Sequence, residues 1–299
     1  MTNMPTIDPA VFRRDRRKRL IRRLFSIGVV AALTLVMIEV LLRVTDPFGV
    51  VYFHDLASNF YDVSLPDPRG YVVAPGQYQA SHWSFTILPD NTRAVPETSP
   101  DAEKTLVFIG DSVTFGYGVD DAETWVNLVA REFPDWHVIN EAYPGWSIKN
   151  LEGAWEMHPD ADLIFVLTLT NDSDEPERVA GVPGWKPSYI QLYATMISYL
   201  LRGFPTPSAE TAAALEPAWR EAISRIGADP RVTFIVFNVT GTYDDRVMEM
   251  FPDKTVRIEN YSQLISTVDS HANPAGNAFV AQQVVPLVRE KIAAWEASQ

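Results

Sequence analysis

The 299-residue sequence contains no cysteine. Disulfide bonds, cysteine-ligated iron–sulfur clusters and thiol catalysis are therefore excluded. The absence does not decide the compartment, because an oxidising compartment permits disulfides without requiring them. Histidine is also scarce, and His54, His82, His137 and His158 lack the spacing of metal ligands, so we expect neither a metal site nor another cofactor.

Basic side chains are sparse beyond the first 23 residues. Residues 1–23 carry eight basic and two acidic side chains, a net charge of +6. Because the whole chain carries −13, residues 24–299 carry −19. An acidic domain does not suit a phosphate backbone, so nucleic acid is not an expected partner.

A long apolar run follows the basic cluster. From Leu24 to Leu42, Glu39 is the single ionisable side chain. About 20 apolar residues span the hydrocarbon core of a bilayer, so residues 24–44 predict one transmembrane helix with the lipid bilayer as its partner. The positive-inside rule places residues 1–23 in the cytoplasm and the rest of the chain outside.

Two features of this run leave alternatives open. A cleaved signal peptide would have a shorter apolar region and a small-residue cleavage site, but LLRVTDPFG ends the run without an A-x-A pattern, so an uncleaved anchor is favoured. Glu39 lies near the outer end of the run. Its carboxylate could reach the membrane interface, or it could pair with a neighbouring helix.

Residues 45–103 are rich in Pro, Gly, Asp and Ser. They predict an irregular extracytoplasmic lead-in, with a hairpin or two packed on the main domain. Alternating residues predict a strand at Ser81–Leu88, and the turn signal Pro89-Asp90-Asn91 closes it.

Residues 104–299 alternate between strand-like and helix-like segments. We predict strands at residues 105–110, 136–142, 161–170 and 232–239, and helices at residues 120–133, 147–157, 216–226 and 273–295. This alternation is typical of an α/β domain, a three-layer sandwich with a mainly parallel sheet between helices.

The segment 174–214 interrupts the alternation. Within it, the apolar run Tyr189–Leu201 is too short for a second membrane crossing. It could be a packed surface helix, a lid over a site, or a helix that lies against the bilayer or a partner.

Two short motifs could supply nucleophilic catalysis. Ser112, in Gly110-Asp111-Ser112, follows the first predicted strand of the main domain, where ligands bind in open parallel sheets. Near the other end of the chain, Asp269 and His271 stand two residues apart before a predicted helix. A serine nucleophile needs a histidine base, and that histidine needs a carboxylate to orient it.

Two further positions could stabilise an oxyanion. Gly145 follows the second predicted strand and permits close approach of the backbone. Asn171 follows the third, where its amide could donate to a developing negative charge.

These four motifs, in this order, resemble those of the GDSL/SGNH hydrolase family from Thr105 to about Trp295. The stretches EVLLR, GDSVTFGYGVDDAETW and NPAGN look like membrane-anchored bacterial members. The resemblance implies an SGNH-hydrolase fold with a flavodoxin-like sheet, held in the bacterial inner membrane with the main domain in the periplasm.

The resemblance also implies a role for each site residue. Ser112 would be the nucleophile and first oxyanion donor, with Gly145 and Asn171 as the other donors. His271 would be the general base, and Asp269 its orienting acid.

The sequence departs from the family pattern in two places. The third block usually reads Gly-x-Asn-Asp, but Leu169 and Thr170 precede Asn171 here. The fourth often reads Asp-x-x-His, whereas Asp269 is only two residues from His271. The shorter spacing also resembles polysaccharide O-acetyltransferase-like relatives, so hydrolysis and acyl transfer both remain open.

The predicted function is that of a membrane-anchored serine esterase, deacetylase or O-acyltransferase. It would act on cell-envelope glycans or small esters through an acyl-serine intermediate. The alternative is an SGNH-fold accessory subunit of a membrane protein complex with no required catalysis. Three features favour the alternative: Glu39 within the predicted span, the apolar run at Tyr189–Leu201, and the acidic surface of the outer part.

Overall fold

The computed structural model describes residues 9–50, 64–80, 82–169, 188–202, 209–238, 242–266 and 269–299. In chain order the helices and strands are α1 (Pro9–Thr45), β1 (Ser64–Asp67), β2 (Gly70–Val73), β3 (Gly76–Gln79), β4 (Ser84–Ile87), β5 (Lys104–Gly110), α2 (Ser112–Phe115), α3 (Trp125–Ala130), β6 (Trp136–Ala142), α4 (Ile148–Glu156), β7 (Leu163–Leu167), α5 (Tyr189–Arg202), α6 (Ala209–Ala228), β8 (Val232–Phe237), α7 (Thr242–Met250), β9 (Thr255–Ile258) and α8 (Pro274–Glu296).

A five-stranded parallel sheet in the order β6-β5-β7-β8-β9 forms the centre of the domain. If these five strands are numbered 1 to 5 in chain order, their order across the sheet is 2-1-3-4-5. This is the flavodoxin-like order, so the predicted fold class is confirmed. The chain leaves β5 to one side to form β6 and returns to the other side to form β7. Ligands bind at such a reversal, beyond the carboxyl end of the strand, and Ser112 lies there.

Side chains along the sheet alternate between two cores. On β5, Val107 and Ile109 face a core that contains α4 and α6, whereas Leu106 and Phe108 face a core that contains α3 and α8. A strand buried on both faces reads as a continuous apolar run, which is how β5 stands out in the sequence.

The lead-in forms two antiparallel hairpins, β1–β2 and β3–β4. Tyr71, Trp83 and Phe85 are each no more than 2% exposed and share the first core with Phe115 and Tyr143. The lead-in thus packs on the main domain, as predicted.

Helix α1 runs unbroken from the basic segment through the apolar run. Residues 17–45 are long and apolar enough to cross a membrane, and none of the apolar window is buried inside the protein. Such a helix is a candidate membrane anchor or signal sequence.

Helix α5 packs against the C-terminal end of α1. Glu39 accepts hydrogen bonds from the backbone N–H groups of Tyr189 and Ile190, both at 3.0 Å. Of the two alternatives for Glu39, the structure shows the pairing with a neighbouring helix, and that helix belongs to the same chain. The run predicted at Tyr189–Leu201 is therefore a helix packed on the end of α1.

Several predicted boundaries were wrong for identifiable reasons. The helix predicted at 120–133 is divided, because extended Thr124 separates a 3-10 turn from α3 and caps α3 with its side chain. The helix predicted at 216–226 extends to Ala209–Ala228 and contains Pro217. The strand predicted at 161–170 is shorter, Leu163–Leu167.

Other differences lie near the end of the sheet. The strand predicted at 232–239 ends at Phe237, and its last residue lies outside the described residues. The sequence analysis missed α7 and β9, which have only nine and four residues. Two of the four residues of β9 are polar, so it lacks the apolar run that marks the interior strands.

Candidate active site

Three of the predicted site residues form a continuous hydrogen-bonded relay. The Ser112 Oγ lies 2.8 Å from His271 Nε2, and His271 Nδ1 lies 2.6 Å from Asp269 Oδ1. The sequence separates Ser112 from His271 by 159 positions, so the fold alone brings them together. A hydroxyl, an imidazole and a carboxylate in this order are the groups required for nucleophilic attack by serine.

A tight turn at the end of β5 presents Ser112. Asp111 is buried and accepts a hydrogen bond from the Val113 N–H at 2.9 Å, which caps α2. Gly110 must lack a side chain, because a Cβ there would lie 2.6 Å from the Cβ of Thr114. The Gly-Asp-Ser sequence therefore fixes the serine at the start of α2.

The other half of the relay lies on a hairpin-like loop before α8. Leu264 bridges Ala272, and the Ile265 N–H donates to the His271 carbonyl at 2.9 Å. The Asp269 carboxylate accepts a hydrogen bond from the backbone N–H of His271 at 2.9 Å as well as binding its ring. The two-residue spacing allows Asp269 to bind both groups of the same histidine.

Opposing effects act on the pKa of His271. Burial lowers it, but the hydrogen bond to Asp269 and the negative charges of Asp269 and Asp111 outweigh burial, so the pKa of His271 is raised above its usual value. The imidazolium that forms when serine loses its proton is therefore stabilised.

Comparisons with known proteins agree with this arrangement. A model of the GDSL-like lipase/acylhydrolase family matches residues 108–279, which contain the whole relay. The chain belongs to this family. It is an ester-acting hydrolase with the SGNH fold, and the resemblance seen in the sequence is confirmed.

Solved structures with a similar fold are distant in sequence. A carbohydrate esterase whose active site has divergent catalytic and non-catalytic binding functions is 17% identical, with 66% of this chain and 71% of that chain covered and a TM-score of 0.39. A lipolytic G-D-S-L protein from Veillonella parvula is 16% identical, with 61% and 97% covered and a TM-score of 0.36.

A third similar structure is a carbohydrate acetylesterase family member from Sinorhizobium meliloti. It is 15% identical, with 64% of this chain and 99% of that chain covered and a TM-score of 0.37. No curated protein matched the chain. The family assignment therefore rests on the match over residues 108–279.

Of the two further predicted oxyanion donors, one lies among the described residues of this GDSL-like hydrolase. Gly145 has a φ of +82°, a conformation that favours glycine, in the turn after β6. The Tyr71 hydroxyl donates to the Pro144 carbonyl beside it, and the Tyr143 hydroxyl donates to the Asn91 carbonyl at 2.5 Å. Asn171 lies outside the described residues, so its role stays a prediction.

A buried arginine holds the segment after the nucleophile. Arg93 is fully buried, and its guanidinium donates to the carbonyls of Phe115, Gly116 and Val119 at 2.6–2.7 Å. It also pairs with Asp121 at 2.9 Å. The carbonyls of Phe115 and Gly116 lie at the end of α2, where a helix leaves its last carbonyls without an intrahelical donor, and Arg93 binds both.

Two aromatic rings pack next to the histidine, Tyr117 from the segment after Ser112 and Trp83 from the lead-in. The Tyr117 ring lies 4.8 Å from the ring of His271, and the Trp83 ring lies 5.0 Å from that of Tyr117. A substitution at Tyr117 or Trp83 that displaced these rings would also displace the imidazole of His271.

Asn277 connects the histidine loop to the neighbouring helix. Its Oδ1 accepts a hydrogen bond from the Trp125 N–H at 3.0 Å, and its Nδ2 donates to the Ala272 carbonyl at 3.0 Å. The Trp125 indole donates to the Val113 carbonyl at 3.0 Å, which completes a path from the histidine loop to the nucleophile turn.

The sequence did not predict these positioning residues. Arg93 lies in the lead-in, 19 residues before the nucleophile, and nothing local marks it as buried. Asn277 is the last residue of the NPAGN stretch that contributed to the resemblance, but the family pattern assigned it no role. A polar side chain on the otherwise apolar face of α8 was the available signal.

Proposed function

We propose that the chain is a membrane-anchored serine esterase or acyl-transfer enzyme that acts outside the cytoplasm. The observation that carries the proposal is the relay from Ser112 through His271 to Asp269, with separations of 2.8 and 2.6 Å. Both distances lie within hydrogen-bond reach, so Ser112 and His271 are aligned for proton transfer.

The reaction would proceed in two halves. Ser112 Oγ attacks the carbonyl carbon of an ester while its proton passes to His271 Nε2, and Asp269 stabilises the imidazolium. The tetrahedral oxyanion would be held by the N–H groups of Ser112 and Gly145 and the amide of Asn171. The intermediate collapses when His271 returns the proton to the leaving alcohol, which leaves an acyl-serine.

The second half determines the reaction class. Water, deprotonated by His271, attacks the acyl-serine and releases a carboxylic acid in an esterase or deacetylase. A sugar hydroxyl in place of water would give a new ester and make the enzyme an O-acyltransferase. We favour hydrolysis, because the family model is that of lipases and acylhydrolases.

Anchoring is supported by how α1 joins the domain. Its apolar side chains are exposed, from 56% at Leu20 to 65% at Leu33 and 79% at Val44. Its outer end bonds to α5 through Glu39, and Val50 beyond it is fully buried. Cleavage as a signal peptide would remove these contacts, so we propose an uncleaved anchor.

The proposed location and substrate follow from the anchor. The basic residues in the first part of α1 favour a cytoplasmic N-terminus, which would place the domain in the periplasm of a bacterial inner membrane. Acylated cell-envelope glycans and small esters are the substrates within reach of a domain tethered there. The net charge of −19 on residues 24–299 disfavours polyanionic substrates.

A fluorophosphonate probe tests the catalytic proposal. Wild-type protein in detergent micelles should become covalently labelled and should hydrolyse acetyl esters, and Ser112→Ala should do neither. Ser270→Ala, at the exposed neighbour of the relay, is the matched control and should keep both activities. Equal labelling or equal hydrolysis by Ser112→Ala would overturn the proposal.

The accessory-subunit hypothesis has lost one of its supports, because Glu39 is paired within the chain. The exposed apolar residues of α5 still favour a partner surface. Extraction in a mild detergent distinguishes the two functions, since co-migration with other membrane subunits and unchanged complex function in Ser112→Ala are expected only of an accessory subunit.

A further inference from the structure

Helix α5 has an exposed apolar stripe that the proposed catalytic site does not use. At 100° per residue, Ile190, Ile197 and Leu201 fall on one side of the helix. Ile190 is half-buried, whereas Ile197 is 48% exposed and Leu201 is 80% exposed, so the latter two are not covered by the described part of the chain. The adjacent side is polar and carries Gln191, Thr195, Ser198 and Arg202.

A third side of α5 fastens the helix to the end of α1. Tyr189 and Tyr193 are 6% and 5% exposed and form a small core with Val50 and Leu42. The Tyr193 hydroxyl donates to Asp46 Oδ1 at 2.8 Å. This packing fixes which side of α5 faces α1 and which sides remain open.

Glu39 sets the level of α5 along α1. It caps the N-terminus of α5, where the helix dipole favours a negative charge, and it also pairs with Arg43 at 2.7 Å. Glu39 lies three residues before Leu42, the last residue of the apolar run. If α1 spans the bilayer, α5 therefore begins at the outer boundary of the hydrocarbon core.

We propose that α5 is an interfacial helix whose stripe of Ile190, Ile197 and Leu201 inserts into the outer leaflet of the bilayer. The proposal rests on the membrane anchoring of α1. A helix with separate apolar and polar sides, held at the level where hydrocarbon meets headgroups, suits a lipid surface. The polar side, which ends in Arg202, would face the headgroups and water.

The second membrane contact would have a consequence for the active site. One spanning helix alone leaves a domain free to rotate about the membrane normal and to tilt. A second contact on the same face fixes the tilt. The domain would then hold the loop of Asp269 and His271 at a constant height above the membrane, because Gly49 after α1 lies against Ser266 of that loop.

The absence of cysteine makes the proposal directly testable with single-cysteine variants of the full chain. Ile197→Cys and Leu201→Cys report on the apolar stripe, and Gln191→Cys and Thr195→Cys are matched controls on the polar side. Val30→Cys reports on the anchor itself, and Ala294→Cys on α8 reports on bulk water. Each variant carries a bimane label in nanodiscs of phosphatidylethanolamine and phosphatidylglycerol, with or without acyl-chain-brominated lipid.

Brominated lipid should quench positions 197 and 201 at least twofold more than positions 191 and 195, with strong quenching at 30 and none at 294. Quenching at 30 with equal, weak quenching at the four α5 positions would overturn the inference and leave the anchor intact. No quenching at 30 would overturn the anchor and the inference together. Protection of 197 and 201 from both lipid and aqueous iodide would show a protein partner or second copy, and would also overturn it.

Discussion

Gly49 lies directly against Ser266, so that the turn leaving α1 contacts the loop that carries Asp269 and His271. A Cβ on Gly49 would overlap the side chain of Ser266. Ser266 Oγ in turn accepts a hydrogen bond from the Asp269 N–H at 3.1 Å. The path from the proposed anchor to the relay therefore has only two contacts.

We expect Gly49→Ala to impair ester hydrolysis as well as stability. Gly49 has a φ of +70°, which costs an L-residue about 1–2 kcal/mol, and the new methyl group must displace Ser266. Displacement of a catalytic group by about 1 Å can cost on the order of 100-fold in rate. The measurement is kcat on an acetyl ester, together with the thermal unfolding midpoint.

Gly28→Ala is the matched control, because a Cβ on Gly28 of α1 meets nothing within 4 Å. It should leave kcat unchanged and should not lower the unfolding midpoint, because alanine favours a helix more than glycine does. A Gly49→Ala enzyme with wild-type kcat would show that the anchor turn and the catalytic loop are mechanically independent.

The three residues of the relay could be predicted from the sequence, whereas the residues that hold them in place could not. The sequence predicted Ser112, Asp269 and His271 because the short motifs that contain them occur in the order of the family pattern. The alternation of strands and helices also indicates a parallel sheet, which brings the carboxyl ends of its strands together. Arg93 and the Tyr71 hydroxyl act through long-range bonds to backbone carbonyls. No residue near them in sequence reveals which carbonyls they meet.

Asp269→Asn should lower kcat by about 10³- to 10⁴-fold while leaving KM nearly unchanged. The amide keeps the shape of the side chain but cannot stabilise the imidazolium, and it favours the wrong histidine tautomer. The check is steady-state kinetics on a chromogenic acetyl ester. Ser270→Ala is the control on the same loop, and a fall of less than tenfold for Asp269→Asn would mean that Asp269 does not orient His271.

Arg93→Met should destabilise the fold by about 3–5 kcal/mol, because it removes three buried hydrogen bonds to backbone carbonyls and leaves Asp121 without its cation. Chemical denaturation followed by tryptophan fluorescence measures the change in the free energy of unfolding. Arg131→Met breaks an exposed 3.3 Å pair with Glu97 and should cost less than about 1 kcal/mol. Equal effects of the two variants would contradict the scaffold role.

The fold was predictable where apolar periodicity is strong. Strand β6 was predicted with its observed bounds, although it lies at the edge of the sheet, and the interior strand β5 differs by one residue. The helix predicted at 120–133 was wrong at its centre, since a single extended residue, Thr124, ends one helical segment and caps the next. Residue-level capping competes with apolar spacing there, and spacing alone does not show which prevails.

The pH dependence of kcat/KM should report the raised pKa of His271. The base acts only when neutral, so activity should rise with pH through the folded-state pKa. Because Asp269 raises that pKa, the midpoint should lie above about 6.5, the ordinary value for histidine. Asp269→Asn should move the midpoint down, and Ser270→Ala should not.

The raised pKa of His271 also means that its protonated form stabilises the fold. This contribution is complete below about pH 6.5 and is lost as the pH rises through the folded-state pKa. A wild-type midpoint of the kcat/KM profile at or below about 6.5, or one that Asp269→Asn leaves in place, would show that Asp269 does not control the charge of His271.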